Sequence, residues 1–231
     1  MQLLCVAATP QEFRAIFPRW NGVAAEHRML PIGPGLAACI TGVGPVNAGI
    51  ALGRILALHH EITGVLNLGL AGSFDLGRAP LGSCILVTEE IWPEYGLLGD
   101  DGIDAPGLGF AQWEHGDLRV FDRLPLHTDL TDFGLPQPTD AIPGIALTVA
   151  GVSASTKRAD MLAQRYLPLS ENMEGFAVAL ACARQGIPCV ELRTVSNKVG
   201  SRAPEDRAFP LALAKLSALG QNLFGTYAEK L

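Results

Sequence analysis

The sequence predicts an α/β fold built on one largely central sheet. Short strand-like runs recur along the chain, several of them apolar almost throughout, and helical patterns alternate with them. A strand without polar alternation needs cover on both faces, which layered α/β architecture supplies. With 231 residues, 48% hydrophobic and 17% charged, the chain fills one core and is short for two, so a single globular domain spanning 1–231 is expected.

The first run, QLLCVAA at 2–8, ends at Thr9-Pro10-Gln11-Glu12. Thr9 and Glu12 have capping-box spacing, and Pro10 suits the first helical position. Glu12 therefore reads either as the residue that closes a helix start or as a general base at the carboxyl end of the first strand. LAACITG at 36–42 is the next strand, and the turn Gly42-Val43-Gly44-Pro45 leads into a helix over about 45–60. A strand at 64–70 ends in Ala71-Gly72-Ser73, and another follows at 82–88. Flexible backbone at strand ends is where open α/β sheets bind ligands.

Residues 92 to 143 differ, being dense in Pro, Gly and Asp with scattered aromatics (Trp92, Tyr95, Phe110, Trp113). This is too long for an ordinary connection and reads as a loop-rich insertion, either a cover for a site or a surface excursion. A strand at 145–152 and a helix at 156–167 follow, then a helix at 172–185, a strand at 188–196 and a helix at 208–229.

Glu174 lies in NMEGFAVALACAR, where its neighbours three, four and seven residues on are Ala177, Val178 and Ala181. A carboxylate on that apolar face needs a partner, which a pair of ligand hydroxyls would provide. Its place near a helix start offers dipole stabilisation as the other explanation. Asn197, after the last strand, is either a turn opener bonding its own backbone or the third member of a spread-out polar set with Glu12 and Glu174.

Other chemistries are disfavoured. The net charge is −6 without a Lys/Arg cluster, so neither nucleic acid nor an anionic membrane surface is expected as partner, and a small molecule is. The start lacks a basic n-region, and no run approaches the roughly 18 apolar residues of a spanning helix, so a cytoplasmic protein is expected. Five cysteines without C-x-x-C spacing read as reduced core thiols, and the five histidines include no convincing metal pair; neither metal nor cofactor is expected. Gly42 to Asn47 begins like a dinucleotide fingerprint. Its sixth position is Asn, however, and no acid follows the next strand, which argues against an oxidoreductase.

Taken together, the opening strand followed by Glu12, ITGVGPVNAG, VLNLGLAGS, AGVSAST, ENMEGFAVALAC and RTVSNKVGSR resemble the purine nucleoside phosphorylase and nucleosidase superfamily. Met173-Glu174 and the strand ending in Ser196-Asn197 are the specific part. Within the superfamily the set is most similar to the futalosine hydrolases, with the methylthioadenosine/adenosylhomocysteine nucleosidases next.

The resemblance implies a three-layer α/β/α sandwich with a mixed, partly barrel-like central sheet, assembled as a homo-oligomer. By motif position it makes Glu12 the water-activating carboxylate, Glu174 the acid that binds the ribose hydroxyls, and Met173 the residue packing against the sugar. Asn197 would face the purine with Ser196 in support, Val152 and Ser153 would line the base pocket, and Gly72 would lie in the adjacent turn. The implied activity is hydrolysis of the N-glycosidic bond of futalosine, releasing hypoxanthine, in the futalosine route of menaquinone biosynthesis. A non-catalytic nucleoside-binding protein is the reading from another class.

Two departures bear on chemistry. Superfamily phosphorylases carry an Arg for phosphate where this sequence has Asn67, and a neutral amide is a poor substitute for a guanidinium fork, which favours water as nucleophile. Related nucleosidases acting on 6-aminopurines carry Asp at the position of Asn197. An amide, with a donor and an acceptor, suits O6 and a ring N–H of a 6-oxopurine. The carboxylate expected at the substrate's far end calls for a cation, and Lys157, Arg158, Arg119 and Arg202 are the candidates, with the insertion's aromatics as cover for its ring.

Overall fold

A computed structural model describes residues 2–100 and 102–228, so the first residue and the last residue expected in the terminal helix lie outside it. Thirteen strands and five α-helices are described: β1 (Gln2–Ala7), α1 (Pro10–Ile16), β2 (Met29–Gly33), β3 (Leu36–Ile40), α2 (Pro45–Leu58), β4 (Ile62–Ser73), β5 (Cys84–Ile91), β6 (Leu97–Gly99), β7 (Gly102–Asp104), β8 (Trp113–His115), β9 (Leu118–Val120), β10 (Arg123–Pro125), β11 (Ile142–Thr148), α3 (Thr156–Tyr166), β12 (Ser170–Asn172), α4 (Gly175–Arg184), β13 (Cys189–Lys198) and α5 (Phe209–Ala228). None of the described helices is long and apolar enough to cross a membrane.

The main sheet is mixed and closes on itself. β4 pairs with β13, β13 with β5, β5 with β11, β11 with β12, and β12 returns to β4. That ring is the barrel-like part. From β4 the sheet continues flat through β1 and β3 to β2, and β10 adds to β5.

The flat part shows why these strands lack polar alternation. Leu3, Cys5 and Ala7 of β1 enter one apolar cluster, with Phe13, Ile16 and Leu216, while Leu4 and Val6 enter a second, with Leu52, Ile55 and Val178. β3 divides in the same way, Leu36, Ala38 and Ile40 against Ala37 and Cys39. Helices α1 and α5 cover one face and α2 and α4 the other, so every side chain from Leu3 to Ala7 and from Leu36 to Ile40 is buried.

Several expectations are corrected. β2 went unread because Pro31 interrupts MLPIG; it is an edge strand antiparallel to β3, where a missing N–H costs least. β12, the polar triplet Ser-Glu-Asn, has no apolar signature at all, yet all three residues are buried. The helix expected from 172 begins at Gly175, because residues 170–172 are spent on β12. The 92–143 segment is more ordered than a loop-rich insertion: it holds two small antiparallel ribbons, β6–β7 and β8–β9, and delivers β10 to the main sheet.

Candidate active site

Where β1, β4 and β13 end and α4 begins, a cavity of about 310 Å³ opens, and all eight residues singled out from the sequence line it: Glu12, Gly72, Val152, Ser153, Met173, Glu174, Ser196 and Asn197. They come from five separated segments. The parallel pairing of β1 and β13 with β4 brings their carboxyl ends to one level.

Both readings of Glu12 hold at once. Thr9 and Glu12 form the capping box, with Oε2 accepting from the Thr9 N–H at 2.9 Å and from its hydroxyl at 2.8 Å. The other oxygen, Oε1, reaches across to accept from Leu70 N–H at 2.9 Å. The cap thus fixes the carboxylate's direction while its surface faces the cavity, with 6% of the residue exposed.

Glu174 is the N-cap of α4 rather than a residue within it, which corrects the helical-face argument. The first N–H groups of α4 are satisfied by other side chains: Asn172 Oδ1 accepts from Glu174 and Gly175 at 3.0 and 2.8 Å, and Thr148 Oγ1 accepts from Phe176 at 2.7 Å. This leaves the Glu174 carboxylate free to turn away from its own helix. It accepts from Gly44 N–H at 2.9 Å, a use for the glycine turn before α2, and lies 3.8 Å from Arg193 Nη1. Gly44 has φ of 95°, a backbone that side-chain-bearing residues rarely adopt. Burial raises the Glu174 proton affinity, and the Arg193 guanidinium opposes that rise.

Arg193, unassigned from sequence, is the cation under these acids. It is 1% exposed, donates from Nε to Glu191 Oε1 at 2.8 Å, and leaves Nη2 without a protein partner. A Cβ on Gly69 would stand 2.6 Å from Arg193 Nη1 and 2.8 Å from Glu12 Oε1, so only glycine leaves room there. Burial alone would weaken the guanidinium's charge, but Glu191, Glu174 and Glu12 outweigh it and raise its proton affinity. The signal was present in VELRTV: opposite charges two residues apart in a buried strand share one face.

Beneath the cavity the network continues. Asn172 Nδ2 donates to Glu90 Oε1 at 2.6 Å, Thr148 Oγ1 to Glu90 Oε2 at 2.7 Å, and Asn67 Nδ2 to Glu191 Oε2 at 2.9 Å. Asn67 is 2% exposed and does not line the cavity, so it exerts no direct selection on a nucleophile there. Burial, then the facing Glu191, pushes Glu90 well above the ordinary carboxylate range. The folded chain therefore holds a proton that the unfolded chain releases near roughly pH 4.3. This stabilising contribution is complete below that pH and is lost as pH rises through the folded-state value. Glu90→Gln, which cannot ionise, is expected to flatten the decline of Tm as pH rises above about 4.3. Parallel Tm profiles for parent and variant would show that Glu90 does not hold a proton.

On the base side, Ser196 Oγ lies 2.9 Å from Asn197 Oδ1 and 3.2 Å from the Ala71 carbonyl, with one proton to give between them. Glu171, not anticipated, joins the wall and accepts from Ser153 N–H and Oγ at 2.8 and 2.6 Å.

Of the candidate cations only Arg202 lines the cavity, and Arg207, missed from sequence, joins it and donates to the Arg202 carbonyl. Arg158 is paired with Glu94 at 2.6 Å, Arg119 with Glu114 at 2.7 Å in the β8–β9 ribbon, and Lys157 faces a different surface hollow. The insertion's aromatics do not line the cavity: Trp92 stacks on Tyr95 and packs against Phe176 of α4, because β10 pairs with Glu89–Ile91 of β5, beyond the start of β13 and away from its Asn197 end.

A family profile described as the phosphorylase superfamily matches residues 20–225. The chain is 37% identical over 214 residues to the futalosine hydrolase of Thermus thermophilus, covering 93% of this chain and 87% of that one. To the futalosine hydrolase of Acidothermus cellulolyticus it is 36% identical over 181 residues, 77% and 70% of the two chains. Among solved structures, a futalosine hydrolase mutant of Helicobacter pylori superposes with a TM-score of 0.72 over the whole of both chains at 18% identity, a likeness of fold.

Proposed function

Since the chain belongs to the phosphorylase superfamily and, within it, to the futalosine hydrolases, we propose that it hydrolyses the N-glycosidic bond of futalosine, releasing hypoxanthine and dehypoxanthine futalosine. The observation that carries the site assignment is the meeting of Glu12, Glu174 and Asn197, from three distant segments, on one cavity. We infer further that the reaction serves the futalosine route of menaquinone biosynthesis, a reading that rests on the likeness to futalosine hydrolases.

Cleaving this bond builds positive charge on the sugar and negative charge on the departing base, as in other glycoside hydrolyses. Glu174 clamps the ribose 2′- and 3′-hydroxyls, and its charge favours the cationic sugar. Arg193 keeps the approach of two acids from repelling each other. Glu12, held by Thr9 and Leu70, takes a proton from water aimed at the anomeric carbon. Met173 packs on the sugar, and Val152 and Ser153 line the base pocket. Asn197, steadied by Ser196, bonds the 6-oxo edge of the purine over Gly72. Arg202 and Arg207 meet the substrate's carboxylate at the outer end.

Exposed Val43, Val46 and Ile50, at 49%, 72% and 58%, form an apolar strip beside the cavity's Val43 side, which supports the expectation of a homo-oligomer.

Asn197→Asp tests the base assignment. An ionised carboxylate repels O6 and accepts from a 6-amino group, so the kcat/KM ratio of futalosine to aminofutalosine is expected to fall about tenfold or more. An unchanged ratio would remove Asn197 from base selection.

A further inference from the structure

A 6-oxopurine presents two acceptors and a donor in sequence around its edge: N7, O6 and N1–H. Asn197 answers the acceptors. Its Oδ1 faces Ser196, and its Nδ2, which gives one hydrogen to the Lys198 carbonyl at 3.2 Å and keeps the other for a ligand, lies 2.9 Å from where a Cβ on Gly72 would stand. The donor still needs an acceptor, since a buried ring N–H left unpaired would weaken binding.

Glu171 stands in the same cross-strand row. In the sheet register Gly72 pairs with Asn197 of β13 on one side and with Glu171 of β12 on the other. Strands lie about 4.8 Å apart, so the two residues flank a slot roughly 10 Å wide at the backbone, floored by a residue with no side chain. Glu171 is 6% exposed, and it lines the cavity together with Val152 and Ser153. Ser153 N–H and Oγ each occupy one carboxylate oxygen, which leaves each oxygen a second lone pair. Those bonds also fix the carboxylate in place before a ligand arrives.

We propose that Glu171 accepts the N1–H of the 6-oxopurine, so that the base is read from both sides of Gly72. The proposal rests on the nucleosidase reading above and extends it to a second specificity residue. Asn197 donates to the O6 side, and Glu171 accepts from N1–H. A 6-aminopurine turns a bare N1 lone pair toward the carboxylate and is rejected.

The test measures kcat/KM for futalosine and aminofutalosine with the parent, Glu171→Gln and Glu171→Asp. Glu171→Gln is expected to lose about 10- to 100-fold on futalosine, chiefly through KM, with aminofutalosine unchanged or improved. Glu171→Asp, which keeps the charge, retains the parent's direction of preference. Equal losses on both substrates in Glu171→Gln would overturn the proposal and leave Glu171 as an anchor for the 150–153 turn. Base release from neither substrate by the parent would overturn the nucleosidase reading and this inference with it.

Discussion

Glu12→Gln is expected to lower kcat by a factor of about 10² to 10⁴ while changing KM little. The substitution keeps the side chain's volume and leaves one carbonyl oxygen to accept, but an amide cannot take a proton from water. It also turns an NH2 toward either the Thr9 donors or the Leu70 N–H, both of which now meet a carboxylate oxygen. Loss of the cap costs about 1 kcal/mol of stability, small beside the catalytic effect. Steady-state kinetics with a Tm measurement separates the two. Turnover within a few-fold of the parent would leave Glu12 a capping residue alone.

Arg193→Leu carries the largest expected effect on stability. It removes the cation that faces Glu191 at 2.8 Å and Glu174 at 3.8 Å, both buried, and leaves their charges uncompensated. Breaking a buried pair from one side costs about 3–5 kcal/mol, which for a chain of this size lowers Tm by roughly 10 °C. Adding Glu191→Gln to Arg193→Leu should recover part of that loss, since it removes one of the stranded charges. A Tm within about 2 °C of the parent in Arg193→Leu would show that the acids do not depend on the guanidinium.

The strands most readily found from sequence were those buried on both faces, because β1 and β3 divide their side chains between two apolar clusters and so read as unbroken apolar runs. β12 was illegible for the opposite reason: Glu171 and Asn172 are buried by hydrogen bonding, to which a hydrophobic pattern is blind. The same blindness moved the start of α4 three residues too early and hid Glu171 and Asn172. Glu174 was singled out as a carboxylate on a helical apolar face. Its burial instead comes from capping, with Asn172 taking the helix's donors and Gly44 receiving the freed carboxylate. Arg193 and Glu191 left a legible trace, two charges inside an apolar strand, but their partners lie on other strands and helices. The aromatics of 92–143 pointed toward a cover for the cavity, whereas the pairing of β10 with β5 carries them to Phe176.

The central claim is that water attacks the glycosidic carbon of futalosine in the cavity formed by Glu12, Glu174 and Asn197. Incubating the parent with futalosine in ¹⁸O-labelled water, with and without inorganic phosphate, and weighing the products by mass spectrometry tests it directly. The account predicts hypoxanthine release at the same rate in both, with one ¹⁸O on the sugar product. Release that requires phosphate and yields a sugar phosphate, or no release of base at all, would contradict it.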